Sequence, residues 1–394
     1  MKRTNLAKKL TAMVMTGAMV MSMGMTAFAA GPITKNEDGT VTLTKKVKYD
    51  ATNPGKVAFP AATFSFTVTP ATDVTTSTTT MDGYVVYAGE EGGAYFATGN
   101  NTITFTPNGE YTFDAINNTI EDTTTISFDT TKFKKPGVYR YVVSEGSVNT
   151  DGVTKDSDTY YLDVYVINGT TSGTYEVKYV VAFKGTESAT SKSDLIFTNN
   201  YDTEEVTIKK IITGNQGDKT EEFKFSILVT SGGAADGSTV ANSNETYKAE
   251  IFKEGQSNPI PVTFSSGVIS ESVELGDNDY IVIYGLSEND TYEIYEMVAG
   301  ADGYTTSYYD GISTENEETT DVCIGTVNAG GTASSVKVET PENGNTADRD
   351  VLVDNNKAVT TPTGIAMTFA PYALMVAFAG VFAVMFLRKK REDF

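Results

Sequence analysis

The chain has no histidine and a single cysteine, Cys323, among 394 residues. Without histidine, serine–histidine and cysteine–histidine nucleophilic catalysis are excluded, and so are histidine zinc sites. One thiol can neither close an internal disulfide nor supply a thiolate metal site. Positive charge is also scarce: Lys and Arg number 30 against 51 Asp and Glu, a formal net charge of −21. Such a chain is repelled by phosphate backbones and by anionic lipid, so nucleic acid is not an expected partner. There is no glycine-rich phosphate loop and no calcium-loop spacing, and no cofactor or metal is expected. No long helical apolar period occurs before residue 365.

Long apolar runs are confined to the two ends. Lys2, Arg3, Lys8 and Lys9 precede a Met-rich apolar stretch, Leu10 to Met25, and Ala27-Phe28-Ala29 places small residues where a signal peptidase reads. The pattern predicts a secretory signal over residues 1–29. A second apolar run, Ile365 to Leu387, has the length of a bilayer span and is followed at once by Arg388, Lys389, Lys390 and Arg391. That basic tail predicts a cytoplasmic C-terminus and an exported bulk. The leader removes four cations and the tail a net two, so the part between them carries about −27.

Between the ends, short runs alternate with period two: Val41 and Leu43; Phe64, Phe66 and Val68; Tyr139, Tyr141 and Val143; Leu162, Val164 and Val166. Such runs, separated by turn residues, predict antiparallel strands and an all-β fold of sandwiches. A repeat divides the region. Val41-Thr42-Leu43-Thr44-Lys45-Lys46 corresponds to Val206-Thr207-Ile208-Lys209-Lys210-Ile211, and Phe64-Ser65-Phe66 to Phe223-Lys224-Phe225. Tyrosine strands then end in Glu145 and Glu296, and the copies close on Asn199-Asn200 and Asn355-Asn356. Two immunoglobulin-like domains are therefore expected, residues 30–201 and 204–357, followed by a C-terminal segment over 358–394. The few residues between the domains predict a stiff rod. Thr75–Thr80 and part of Gly330–Thr346 are expected to be exposed loops.

Thr361-Pro362-Thr363-Gly364 stands directly before the apolar run and basic tail. This three-part order resembles a sortase sorting signal, with no residue between Pro362 and Thr363, closer to a Val-Pro-Thr-Gly variant than to Leu-Pro-x-Thr-Gly. The resemblance implies cleavage after Thr363 and transfer of its carbonyl to an amine. The repeated segments together resemble the two-domain FctA-type major pilins, whose CnaB-type domains carry internal Lys–Asn isopeptide bonds. The family pattern is a lysine on the first strand, a glutamate on a central strand and an asparagine on the last. Strand parity selects the residues, because alternate side chains share a face. Lys45 follows Val41 and Leu43, and Lys210 follows Val206 and Ile208. Asn199 follows Leu195 and Phe197, and Asn355 follows Val351 and Val353; Glu145 and Glu296 close the tyrosine strands. Each Lys–Asn pair is expected to join, with Glu145 and Glu296 as the promoting acids.

In similar pilins one further lysine accepts the threonine of the next subunit, shortly before the last strand of the first domain. Lys192, seven residues before Asn199, takes that place, with Lys184 as its rival. The resemblance implies a non-enzymatic shaft subunit on a Gram-positive surface. Its partners are sortase, further copies of itself joined head to tail, peptidoglycan, ancillary pilins and a host surface ligand. A wall-anchored adhesin that is never polymerised shares the sorting signal and the internal bonds but needs no reactive Lys192.

Overall fold

The computed structural model describes residues 35–75, 77–80, 83–107, 109, 111–185, 192–297, 303–312, 322–328, 337–359 and 378–380. The first half contains β1 (Val41–Asp50), β2 (Ala62–Pro70), β3 (Val86–Ala88), β4 (Ala94–Phe96), β5 (Thr102–Phe105), β6 (Thr119–Phe128), β7 (Gly137–Glu145), β8 (Val153–Thr154), β9 (Thr159–Asn168), β10 (Tyr175–Lys184) and β11 (Ile196–Asp202). The second contains β12 (Glu204–Thr213), β13 (Phe223–Thr230), β14 (Thr246–Phe252), β15 (Ile260–Ser265), β16 (Ser270–Leu275), β17 (Tyr280–Leu286), β18 (Thr291–Glu296), β19 (Thr305–Ile312), β20 (Val322–Val327), β21 (Val338–Glu339) and β22 (Arg349–Asn356). The fold is all-β, as the period-two runs predict.

Each half is a sandwich of two sheets. In the first, β4-β6-β1-β11-β8 faces β10-β9-β7-β2-β5, and β3 adds to β7. In the second, β15-β14-β17-β12-β22-β19-β20 faces β16-β13-β18-β21. The opening and closing strands of each half lie side by side and parallel, β1 with β11 and β12 with β22. Neither parallel pair has a local turn to hold it, so side chains between the sheets must.

Those side chains come from the alternation. In β1, Val41, Leu43, Lys45, Val47 and Tyr49 are buried while their neighbours are not. Their cores include Phe64, Phe66, Tyr139, Tyr141, Leu162 and Phe197 in the first half. In the second half they include Ile208, Phe223, Phe225, Tyr292, Ile294 and Val353. Burying each such side chain contributes roughly 1.5–3 kcal/mol.

Only Thr203 separates β11 from β12, and the halves touch beyond it. Val57 and Phe59 share an apolar cluster with Val282 and Tyr284. Asp151 accepts hydrogen bonds from Asn289 N at 3.0 Å, Asn289 Nδ2 at 2.6 Å and Thr239 Oγ1 at 3.1 Å. Asn53 Nδ2 donates to Glu205 at 2.6 Å, and Lys56 pairs with Glu250. Gly152, at φ 69°, sits where a Cβ would lie 2.8 Å from the Asp202 carbonyl oxygen, so glycine is required at this contact.

One loop expectation needs correction, and the partial one holds. Thr75, Ser77 and Thr79 are exposed, but Thr80 is buried because its carbonyl and amide close the Thr79–Val85 bridge. Within Gly330–Thr346, Val338 is fully buried against β18, pairing with Ile294, and Asn345 is buried because its amide donates to the carbonyls of Ser287 and Asp290. The expected signal and sorting motif (1–29 and 361–364) lie outside the described residues, as does the expected span except for a helical turn at 378–380. Among the described residues no helix is long and apolar enough to cross a membrane.

Candidate functional site

The two halves place their buried lysines by the same register. Lys45 sits beside Phe197, and Asn199 beside Val47; Lys210 sits beside Val353, and Asn355 beside Ile212. In both, lysine and asparagine are two residues apart on adjacent parallel strands, hence on one face. The glutamates come from the opposite sheet, where Glu145 pairs with Phe66 and Glu296 with Phe225. Three side chains thus meet in the middle of each core, and Lys45, Asn199, Lys210, Glu296 and Asn355 have no exposed surface. The neighbouring Lys46 and Lys209 are only half-buried, as parity requires, and Lys46 pairs with Glu121.

In the first half Lys45 Nζ donates to Asn199 Oδ1 at 2.5 Å and lies 3.0 Å from Glu145 Oε1. The Asp156 amide also donates to Asn199 Oδ1, at 2.8 Å, and to Glu145 Oε2, at 3.3 Å. In the second half Lys210 Nζ lies 3.6 Å from Glu296 Oε1 and donates to the Ile211 and Val353 carbonyls at 3.2 and 3.4 Å. Asn355 Nδ2 donates to Glu296 Oε1 at 2.7 Å, while its Oδ1 accepts from Thr306 Oγ1 at 2.6 Å. An aromatic ring lies under each amine, Phe64 at 4.5 Å and Phe223 at 4.8 Å.

Burial dominates the electrostatics. It holds Lys45 below the usual lysine range despite the opposing pull of Glu145, and brings Lys210 down to about 8 against Glu296. It raises both glutamates, with the lysines opposing. Both shifts favour the uncharged forms, a nucleophilic amine and a protonated acid. Asn199 Nδ2 and Glu296 Oε2 are buried and have no hydrogen-bond partner among the described residues. Leaving such atoms unsatisfied costs about 1–3 kcal/mol each, a cost expected where a site is organised for chemistry.

Comparison with known proteins adds to this geometry. Residues 41–202 match the FctA family, described as the Spy0128-like isopeptide containing domain. The first domain is thus similar to that family. Residues 204–340 match a domain of unknown function, DUF7601. A pilin of Streptococcus pyogenes serotype M1 is 25% identical over 97% of this chain and 99% of its own length. The crystal structure of a Streptococcus pyogenes major pilin superposes with a TM-score of 0.52 at 21% identity, covering 81% of this chain and 99% of that one. The major pilin T3.2 of the same species gives 0.52 at 23% identity, covering 80% and 97%.

Two further features of the chain bear on the expected sites. Lys184, at the end of β10, forms an ion pair with Asp158 and is about half exposed. Lys192, the expected acceptor, is half-buried just ahead of β11 and has interactions of its own. Sequence reasoning missed Asp156, Thr306 and the position of the rings under the amines. The repeated Phe-x-Phe signal marks the rings. Thr306 carries only the parity signal of lying two residues before buried Tyr308, and Asp156 acts through its backbone, which leaves no signal.

Proposed function

We propose that this protein is the polymerising shaft subunit of a sortase-assembled pilus, with each domain locked by a self-formed Lys–Asn isopeptide bond. The observation that carries the reading is the pair of buried triads, Lys45–Glu145–Asn199 and Lys210–Glu296–Asn355, at equivalent registers within a fold shared with pilins. The mature chain begins near Ala30, is cut after Thr363 in the Thr361–Gly364 motif, and is joined through Thr363 to Lys192 of another copy or to peptidoglycan.

The chemistry follows from the amine, carboxamide and acid gathered in each core. The neutral lysine amine attacks the asparagine Cγ, and negative charge develops on Oδ1. The protonated glutamate supplies a proton to Nδ2, the Cγ–Nδ2 bond breaks, and ammonia leaves as the lysine nitrogen gives up its proton to the same glutamate. Holding the partners together in one core offsets roughly 7–11 kcal/mol of barrier. Each triad reacts once and leaves an amide, so the event is self-modification.

The test is intact mass together with the state of the protein in wall extracts. The exported chain should weigh less than its processed sequence by two ammonia molecules and appear as a ladder of covalent multimers. An unmodified mass would end the isopeptide reading. A correct mass deficit without a ladder would leave a wall-anchored monomer.

A further inference from the structure

The two triads differ in one respect. In the first half the strand beside β11 is β8, two residues long and paired only with Asn200 and Tyr201. Beyond it the chain turns inward. The Asp156 carboxylate accepts the Thr198 amide at 2.6 Å, and the Asp156 amide reaches Asn199 Oδ1. In the second half the strand beside β22 is β19, eight residues long, paired along the whole of β22 with Thr306 directly opposite Asn355. Its backbone is committed to the ladder, so no main-chain amide is free to turn toward the carboxamide. Directly opposed residues on antiparallel strands share a face, and the Thr306 side chain, 1% exposed, fills the place instead.

We infer that the Thr306 hydroxyl is a catalytic donor for the second cross-link, polarising the Asn355 carbonyl and stabilising the oxyanion, the part played in the first domain by the Asp156 amide. This rests on the isopeptide reading above. As Lys210 Nζ bonds to Cγ, the carbonyl π electrons move onto Oδ1, which accepts the Thr306 O–H. They return when the Cγ–Nδ2 bond breaks and ammonia leaves, and Thr306 keeps its proton throughout. Its contact is directional: Oδ1 faces Thr306 at 2.6 Å while Nδ2 faces Glu296 at 2.7 Å, so the carboxamide is held with its leaving amine on the acid. A developing oxyanion gains more from such a donor than the ground-state carbonyl does.

The test uses the full chain made in a short pulse of cell-free synthesis, with the Lys210–Asn355 and Lys45–Asn199 cross-linked peptides followed over time by mass spectrometry. The first bond serves as an internal clock for folding and chemistry. Thr306→Val should slow the second bond about 10²-fold, the usual effect of removing one oxyanion donor, and leave the first unchanged. Thr306→Ser should close at close to the unaltered rate. A Thr306→Val chain that cross-links as fast as the unaltered one overturns the inference. A Thr306→Ser chain that is as slow as an intact Thr306→Val chain, or that is slow where Thr306→Val fails to fold, does so too, because packing of the methyl group would then be the cause. If the unaltered chain never forms the second bond, the isopeptide reading of that domain fails, and this inference with it.

Discussion

At the residue scale, each triad sets a cation-former and an acid in a core that favours neither charge. Lys45 and Glu145 stand 3.0 Å apart, so their attraction is large, yet burial is the leading cause of both shifts, down for the amine and up for the acid. Deep burial of an ion pair is seldom a net gain, because desolvating two charges offsets their attraction. A Lys–Asn amide removes both the amine and its charge from that balance. Glu145→Ala and Glu296→Ala should each restore one ammonia to the intact mass, since among the described residues no other carboxylate pairs with either lysine amine. A full mass deficit in either variant would show that the glutamate is not the promoting acid. The lysines set the pH dependence of formation in the second domain. With Lys210 at about 8, the reactive neutral amine grows as pH rises toward that value, so a newly made chain should close faster at pH 7.5 than at pH 6. A rate that falls over that interval would contradict the neutral-amine mechanism.

At the scale of elements, the proposed cross-links would join strands that nothing local holds together. β1 and β11 are parallel neighbours whose Lys45 and Asn199 are 154 apart in sequence, and β12 and β22 are parallel neighbours too. In chain-entropy terms, closing a loop of this size contributes about 5 kcal/mol, as a long-loop disulfide does, without sensitivity to reduction. Terminal strands that are covalently joined cannot peel apart when the domain is pulled from its ends. Lys210→Met, which keeps the stem volume and removes the amine, should lower the second domain's melting temperature by on the order of 10 °C and leave the first domain's transition in place. Calorimetry of the full chain resolves the two. Equal melting of variant and unaltered protein would mean that the β12–β22 pairing is held by packing alone.

For the whole molecule, the joint between domains is acidic as well as apolar. Glu204, beside Asp348, Asp202 and Asp50, is raised to about 7, first by burial and then by that neighbourhood. Glu245, within 3.5 Å of the Tyr201 hydroxyl across the joint, is also raised to about 7, chiefly by burial, with Asp151 adding to it. Both pKa values lie above the ordinary carboxylate value of 4.5. Between 4.5 and about 7 the folded protein therefore binds more protons than the unfolded chain, and stability falls as pH rises through that window. The melting temperature should be higher at pH 5.5 than at pH 7.5, and Glu245→Gln should flatten the difference. A melting temperature that climbs across this range would place the titrating groups elsewhere. At the scale of the assembly, Lys192→Arg should leave both internal bonds intact and abolish the multimer ladder, because a guanidinium stays charged and cannot accept the threonine. A normal ladder in that variant would shift the acceptor to Lys184 or beyond.

Much of this is legible in the sequence. Period two sets which side chains share a face, because successive Cβ atoms of a strand alternate. Parity alone therefore separated Lys45 from Lys46 and Lys210 from Lys209, and marked Glu145, Glu296, Asn199 and Asn355 as inward-facing. The all-β class followed from the same alternation, and the repeat from the recurrence of its landmarks. What parity does not carry is which strand lies next to which. That β1 lies parallel to β11 and β12 to β22, and that the two-residue register offset sets lysine and asparagine on one face, are decided by pairings across some 150 residues of chain. The partner of the asparagine carbonyl depends on the same long-range choice. A short β8 lets a backbone amide turn in at Asp156, whereas a full-length β19 spends its amides on the ladder and leaves the task to Thr306. The sequence by itself determined the faces, because they follow from local backbone geometry; the tertiary structure alone decided the neighbours, because hydrogen-bond donors become available or committed only once strands pair.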